Sequence, residues 1–101
     1  MIVRMTIFNA LPNKVGDLKK MYADEIVPVV KKQLGNLDCR LLEPMDKSEG
    51  YISMTVWDNK QDAEAYHSSG TYKKLVDKVK VFFTKEAVLK IYKAEDVMEH
   101  A

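Results

Sequence analysis

Four short runs of strand-forming residues, separated by two stretches of helical period, constrain this chain more than any other feature. The runs are "IVRMTIFN" (2–9), "LDCRLLE" (37–43), "YISMTVW" (51–57) and "EAVLKIYK" (86–93). Three of them are rich in β-branched or aromatic residues, the second is leucine-rich, and all are about as long as an ordinary strand. Between the first two, Val15, Leu18, Tyr22, Ile26, Val29 and Val30 recur at helical spacing. Asn13 is placed to cap that helix and Asp17 falls in its first turn. Pro28 lacks a backbone donor and crowds the preceding turn, so a kink or break is expected near Asp24 to Val27. Gly35 supplies the C-terminal stop. After the third run, Asp58 or Asn59 caps a short helix over 60–68, which Gly70 interrupts. Tyr72, Leu75, Val76, Val79 and Phe83 then form one stripe, with Lys73, Lys74, Asp77, Lys78 and Lys80 opposite.

The resulting order, β-α-β-β-α-β, predicts an α+β, ferredoxin-like fold: an antiparallel four-stranded sheet with its helices on one face. At 101 residues the chain makes one domain, with a core over 2–93 and a polar tail, 94–101, expected to be disordered or to cross to a partner. Strand alternation sorts the sheet residues into two sets. One is nearly all apolar: Val3, Met5, Ile7, Cys39, Leu41, Ile52, Met54, Val56, Ala87, Leu89 and Ile91. The other is mixed and includes Arg4, Thr6, Phe8, Arg40, Tyr51, Ser53, Thr55, Trp57, Lys90 and Tyr92. The helices are expected on the apolar set, which leaves the mixed set uncovered. Its large side chains, worth roughly 1.5–3 kcal/mol each on burial, can offset an association cost of about 4–15 kcal/mol. A homodimer through that sheet face is therefore expected.

Composition narrows the partners. A net charge of +1 offers no general attraction to nucleic acid or to an acidic membrane, and the lysine stripe of the last helix lacks interleaved exposed aromatics. No apolar run approaches a membrane span. Cys39 is the sole cysteine, which excludes an internal disulfide and fits a cytoplasmic protein. The two histidines and the cysteine are too scattered for a metal site.

Two segments carry a family likeness. "IVPVVKKQLGNLDCRLLEP" and "YISMTVWDNKQDAEAY" resemble the helix-to-strand segment and the strand-Trp-helix signature of the antibiotic biosynthesis monooxygenase (ABM) superfamily of dimeric α+β barrels. The resemblance spans about residues 2–93. It implies a homodimer with a small pocket in each subunit between sheet and helices. It also implies one of three roles: cofactor-independent oxidation of a quinol or phenol, haem degradation, or no catalysis at all. Haem-degrading relatives would place their functional groups at Thr6, Tyr66 and Val76 here; all three differ in type, and Val76 cannot ligate iron. Oxygenating relatives pair the strand Trp with an Asn; Trp57 is present, but Ser53 stands at the partner position. The expected cofactor is none.

The candidate catalytic residues are Trp57, Tyr66 and His67. Trp57 can stack on an aromatic substrate, or simply lock the joint between strand and helix. His67 can act as a general base, with Glu64 three residues back to orient it, or sit at a frayed helix end. The candidate substrate-binding residues are Thr6, Ser53, Tyr51, Tyr22 and Tyr72, whose hydroxyls can meet a phenolic oxygen. Each is equally suited to a core position with a satisfied hydroxyl. Arg4, Arg40 and Lys90 mark either an anionic-ligand site or an ion-pair network at the dimer face. The sequence leaves two functions open: an oxygenase acting on a small electron-rich aromatic, and a non-catalytic barrel that binds a small ligand or serves an accessory or stress role.

Overall fold

The computed structural model describes residues 1–95. The expected tail lies outside the described residues beyond Glu95. The strands are β1 (Ile2–Phe8), β2 (Asn36–Leu42), β3 (Tyr51–Trp57) and β4 (Val88–Lys93). The helices are α1 (Val15–Met21), α2 (Val27–Lys31), α3 (Lys60–Ser68) and α4 (Thr71–Val79). The strand order is β2-β3-β1-β4, and every neighbouring pair is antiparallel. This is the ferredoxin-like α+β arrangement read from the element order.

Local chemistry explains the joints. A π-turn, Tyr22–Ile26, separates α1 from α2, and Pro28 sits in the first turn of α2. The break therefore falls about where Pro28 predicts it. Leu18, Tyr22, Ile26 and Val30 are all buried, in steps of four. On a regular helix such steps drift by about 40° each; the wider π-turn takes up part of that drift and keeps all four on the sheet. Asn13 does not cap α1; it lies in a 3₁₀ turn, Pro12–Lys14, that leads into the helix with no side-chain cap. Asn59 is the cap of α3: its Oδ1 accepts from the Asp62 N–H at 2.8 Å. Gly35 ends the first helical segment with φ +80, and a Cβ there would collide with the Asp62 side chain. The Gly35 carbonyl accepts from the Asp58 N–H at 2.8 Å, which ties the end of β3 to the start of β2.

The assignment of sheet faces is partly reversed. In the two central strands the mixed set, not the apolar one, lies under the helices. Arg4, Thr6, Phe8, Thr55 and Trp57 are buried, whereas Val3, Met5, Ile7, Ile52, Met54 and Val56 are only half-buried on the open side. The edge strands keep the expected sides: Cys39 packs into the helix-side core with Leu41 and Ala87 against it, while Arg40, Leu42, Val88, Lys90 and Tyr92 are exposed. Register explains the split. Cys39 pairs with Thr55, and a bulge between Asn36 and Asp38 shifts the ladder. Alternation groups residues within one strand; only pairing relates the faces of different strands. The open face is consequently more aliphatic at its centre than expected.

Candidate functional site

The hydroxyls that β1 and β3 send beneath the helices are all matched, two by groups on the helical segments and one within β3. Tyr22 OH bonds Ser53 Oγ at 2.8 Å and Cys39 Sγ at 3.3 Å. Tyr72 OH bonds Thr6 Oγ1 at 2.9 Å. Trp57 Nε1 donates to Thr55 Oγ1 at 2.9 Å. Four aromatic rings connect these pairs. Trp57 stacks on Tyr66 at 4.7 Å, Tyr66 meets Tyr72 edge-on at 5.9 Å, and His67 stacks on Tyr72 at 5.3 Å. Burial pushes the Tyr22 and Tyr66 phenols well above their ordinary value, and it raises the Cys39 thiol too. All three are therefore neutral hydrogen-bonding groups at physiological pH.

Arg4 is the exception in this layer. It is 3% exposed, and its guanidinium lies 4.7 Å from the centre of the Tyr72 ring and 5.5 Å from that of Tyr66. Nη2 donates to His67 Nδ1 at 2.8 Å, while Nε is buried with no partner. Burial pulls Arg4 below its ordinary value, opposed first by Tyr72 and then by Tyr66. Arginine has no acceptor, so His67 Nδ1 must carry the lone pair. The neutral ring then holds its proton on Nε2. The bond that orients His67 thus leaves it an N–H donor at Nε2 rather than a base.

Space is distributed unevenly around these groups. A small void of about 30 Å³ touches Thr6, Ser53, Tyr66 and Tyr72, next to the cleft described below. That is room for about one water. Trp57 is fully buried behind Tyr66 and lines neither this void nor the larger clefts. The main cleft, about 650 Å³, opens between α4 and the segment leading into β4. His67, Tyr72, Val76, Phe83, Ala87 and Leu89 line it. Its size suits a small organic ligand. A second cleft of about 380 Å³ continues along β4 beside α3, lined by Ile2, Arg4, Lys60, Glu64, Ile91 and Lys93, among others.

The sequence-derived candidates therefore separate. Thr6, Ser53, Tyr66 and Tyr72 do come together, with Tyr22 joined through Ser53. His67 joins them by stacking on Tyr72. Tyr51 does not: it stacks on Phe8 at 5.9 Å, outside the void and the main cleft. Trp57 supports Tyr66 from behind. Sequence reasoning missed the wall formed by Val76, Phe83, Ala87 and Leu89, because a cleft under an incompletely covered edge strand has no linear signature. Arg4 did leave a signal: it is a lone cation inside an apolar strand, alternating with Ile2, Thr6 and Phe8. Among the described residues no cluster of three or more His, Cys, Asp or Glu is placed to hold a metal ion. No helix of the described residues is long and apolar enough to cross a membrane.

Sheet order and one-sided helices define a ferredoxin-like α+β domain with a cleft beside its last strand. The family model described as antibiotic biosynthesis monooxygenase matches residues 1–78, and the chain belongs to that family. No curated protein matches the sequence. Solved structures repeat the fold at low identity. One from Deinococcus radiodurans named for the same family superposes with TM-score 0.79 at 14% identity, covering 100% of this chain and 99% of that one. Another, from Nitrosomonas europaea, gives TM-score 0.75 at 17% identity, over 93% and 98% of the two chains. An MhuD mutant with two manganese protoporphyrin IX bound per active site gives TM-score 0.77 at 19% identity, over 98% and 100%.

Proposed function

We propose that this family member is a homodimeric, cofactor-independent oxygenase of a small electron-rich aromatic such as a quinol or naphthol. The main cleft beside Tyr72 and His67 carries this reading. Its polar end offers the Tyr72 hydroxyl and the His67 N–H; its apolar end offers Val76, Phe83, Ala87 and Leu89. A phenol held there by its oxygen would have its anionic form stabilised by those donors and by the nearby Arg4 charge. With its proton given up to solvent, the ionised ring can pass electrons to dioxygen and, taking a proton back, form a carbon–oxygen bond as a hydroperoxide at a ring carbon that bears hydrogen. Loss of water then leaves a carbonyl, with one oxygen atom in the product and one in water. The protein's share is to orient the ring, exclude water and stabilise the anion.

The residues do not fit a haem iron. Val76 has no donor atom, Tyr66 is 5% exposed between Trp57 and Tyr72, the Tyr72 hydroxyl is held by Thr6, and the His67 lone pair is engaged by Arg4. No step is assigned to that group.

The half-buried aliphatic centre of the open face supports a homodimer through this sheet face, with exposed Leu42, Val88 and Tyr92 around it. The single buried thiol, Cys39, is consistent with a cytoplasmic setting.

One observation favours the non-catalytic reading. The Thr6–Tyr72 and Tyr22–Ser53 pairs already satisfy each other, and the void between them is closed to anything larger than water. Oxygen uptake with a panel of quinols and naphthols separates the two readings. Turnover that Tyr72→Phe lowers by about tenfold or more supports the oxygenase. Saturable binding with no uptake across the panel leaves a ligand-binding barrel.

A further inference from the structure

We propose that the cleft between β4 and α3 is a binding site for a small aromatic carboxylate, with Arg4 as its anchor. Arg4 carries an unmet charge. Charged groups taken out of water are normally paired with an opposite charge and fully hydrogen-bonded. Arg4 is 3% exposed, yet no carboxylate of the described residues pairs with it, and its Nε has no acceptor. Its one polar side-chain partner, His67, is neutral in the tautomer the bond requires. Two aromatic faces soften the cost but do not neutralise the charge.

The cleft that Arg4 lines is complementary to one negative charge. Three cations border it: Arg4, Lys60 and Lys93, with Glu64 as the acid. Lys60 lies 3.7 Å from Glu64, and Lys93 lies 3.0 Å from Glu95. That leaves one unmatched positive charge, on the residue whose planar fork best fits a carboxylate. The remaining surface is apolar: Ile2, Ala63, Ile91 and Tyr92. Ile91, which pairs with Arg4 on the helix side of the sheet, is 55% exposed, so the mouth of the site is open to a ligand. A cleft of about 380 Å³ accommodates an acid carried on one or two fused rings. The site adjoins the main cleft along β4 but is assigned on its own groups; it stands or falls on binding, whether or not oxygen is consumed.

Calorimetric titration of the full chain at neutral pH with 2-naphthoate and with its uncharged analogue 2-naphthamide, which has no phenolic oxygen for the main cleft, tests the assignment. The acid should bind saturably and the amide more weakly by about 10- to 100-fold, the range expected for a charge-assisted hydrogen bond. Arg4→Met should remove that preference while the protein stays folded; Arg4→Lys should keep part of it. Ile91→Glu provides a second route, because Ile91 pairs with Arg4 across the ladder and a carboxylate there satisfies the guanidinium from within. That variant should melt at a higher temperature and no longer bind naphthoate. Equal affinity for acid and amide, no binding of naphthoate, or a preference that survives Arg4→Met would each overturn the proposal. Inorganic phosphate competing as well as naphthoate would overturn its aromatic part.

Discussion

Arg4 Nη2 donates to His67 Nδ1 across 2.8 Å, joining the centre of the sheet to the end of α3. Without a carboxylate nearby, that bond and the Tyr72 ring are the main compensation for a buried cation. Replacing such a charge with an apolar side chain of similar length is expected to stabilise the fold. Arg4→Met should raise the unfolding free energy by about 1 kcal/mol or more in urea titration. A loss of that size instead would mean that the cation–π contacts outweigh desolvation.

Trp57 belongs to the scaffold. It is fully buried, stacked on Tyr66 and bonded to Thr55. Trp57→Ala should cost about 3–5 kcal/mol, as a large aromatic lost from a packed core. Trp57→Phe should cost less and leave ligand affinity in the main cleft unchanged. Chemical denaturation combined with calorimetry reads both; a selective loss of binding at full stability would return Trp57 to the site.

The buried tyrosines predict an alkaline transition. Burial raises Tyr22 and Tyr66 above the ordinary phenol value of 10.0. Below that pH both the folded and unfolded states keep the proton, so this contribution to stability is whole. Above it only the unfolded chain ionises, and each tyrosine withdraws about 1.4 kcal/mol per pH unit until its folded form titrates. Stability should therefore fall as pH rises past about 10. Tyrosinate absorbance from these two should appear together with loss of circular dichroism; Tyr22→Phe should make the decline shallower.

Gly35 tests the joint between α2, β2 and α3. Its φ of +80 disfavours any side chain, and an added Cβ would run into Asp62. Gly35→Ala should cost about 2 kcal/mol or more, from left-handed strain plus displacement of the residue that closes the α3 cap. Thermal unfolding checks this, with Gly70→Ala as a comparison: that site shares the positive φ but has open space around it.

The open face predicts the assembly state. Met5 and Met54 pair at its centre, flanked by Val3–Val56 and Ile7–Ile52. Met54→Lys should turn a dimer into an 11.6 kDa monomer in sedimentation. A wild-type chain that already sediments as a monomer at micromolar concentration would remove this part of the reading.

Periodicity and punctuation are legible along the linear chain. Period-two runs placed β1 to β4 to within a residue or two, helical spacing placed the helices, and Pro28, Gly35 and Gly70 marked the breaks, because each of these acts through its own backbone. Only the tertiary structure decided which strand faces coincide. Cys39 lies beside Thr55 rather than Met54 because inter-strand register and the bulge at Asn36 and Asp38 set that pairing, and neither is a property of a single strand. The site depended on the same decision. Arg4, Thr6, Ser53 and Tyr72 acquire chemistry by meeting across the sheet–helix interface, more than 60 residues apart in the cases of Arg4 with His67 and Thr6 with Tyr72. A linear pattern cannot carry a contact that packing alone creates.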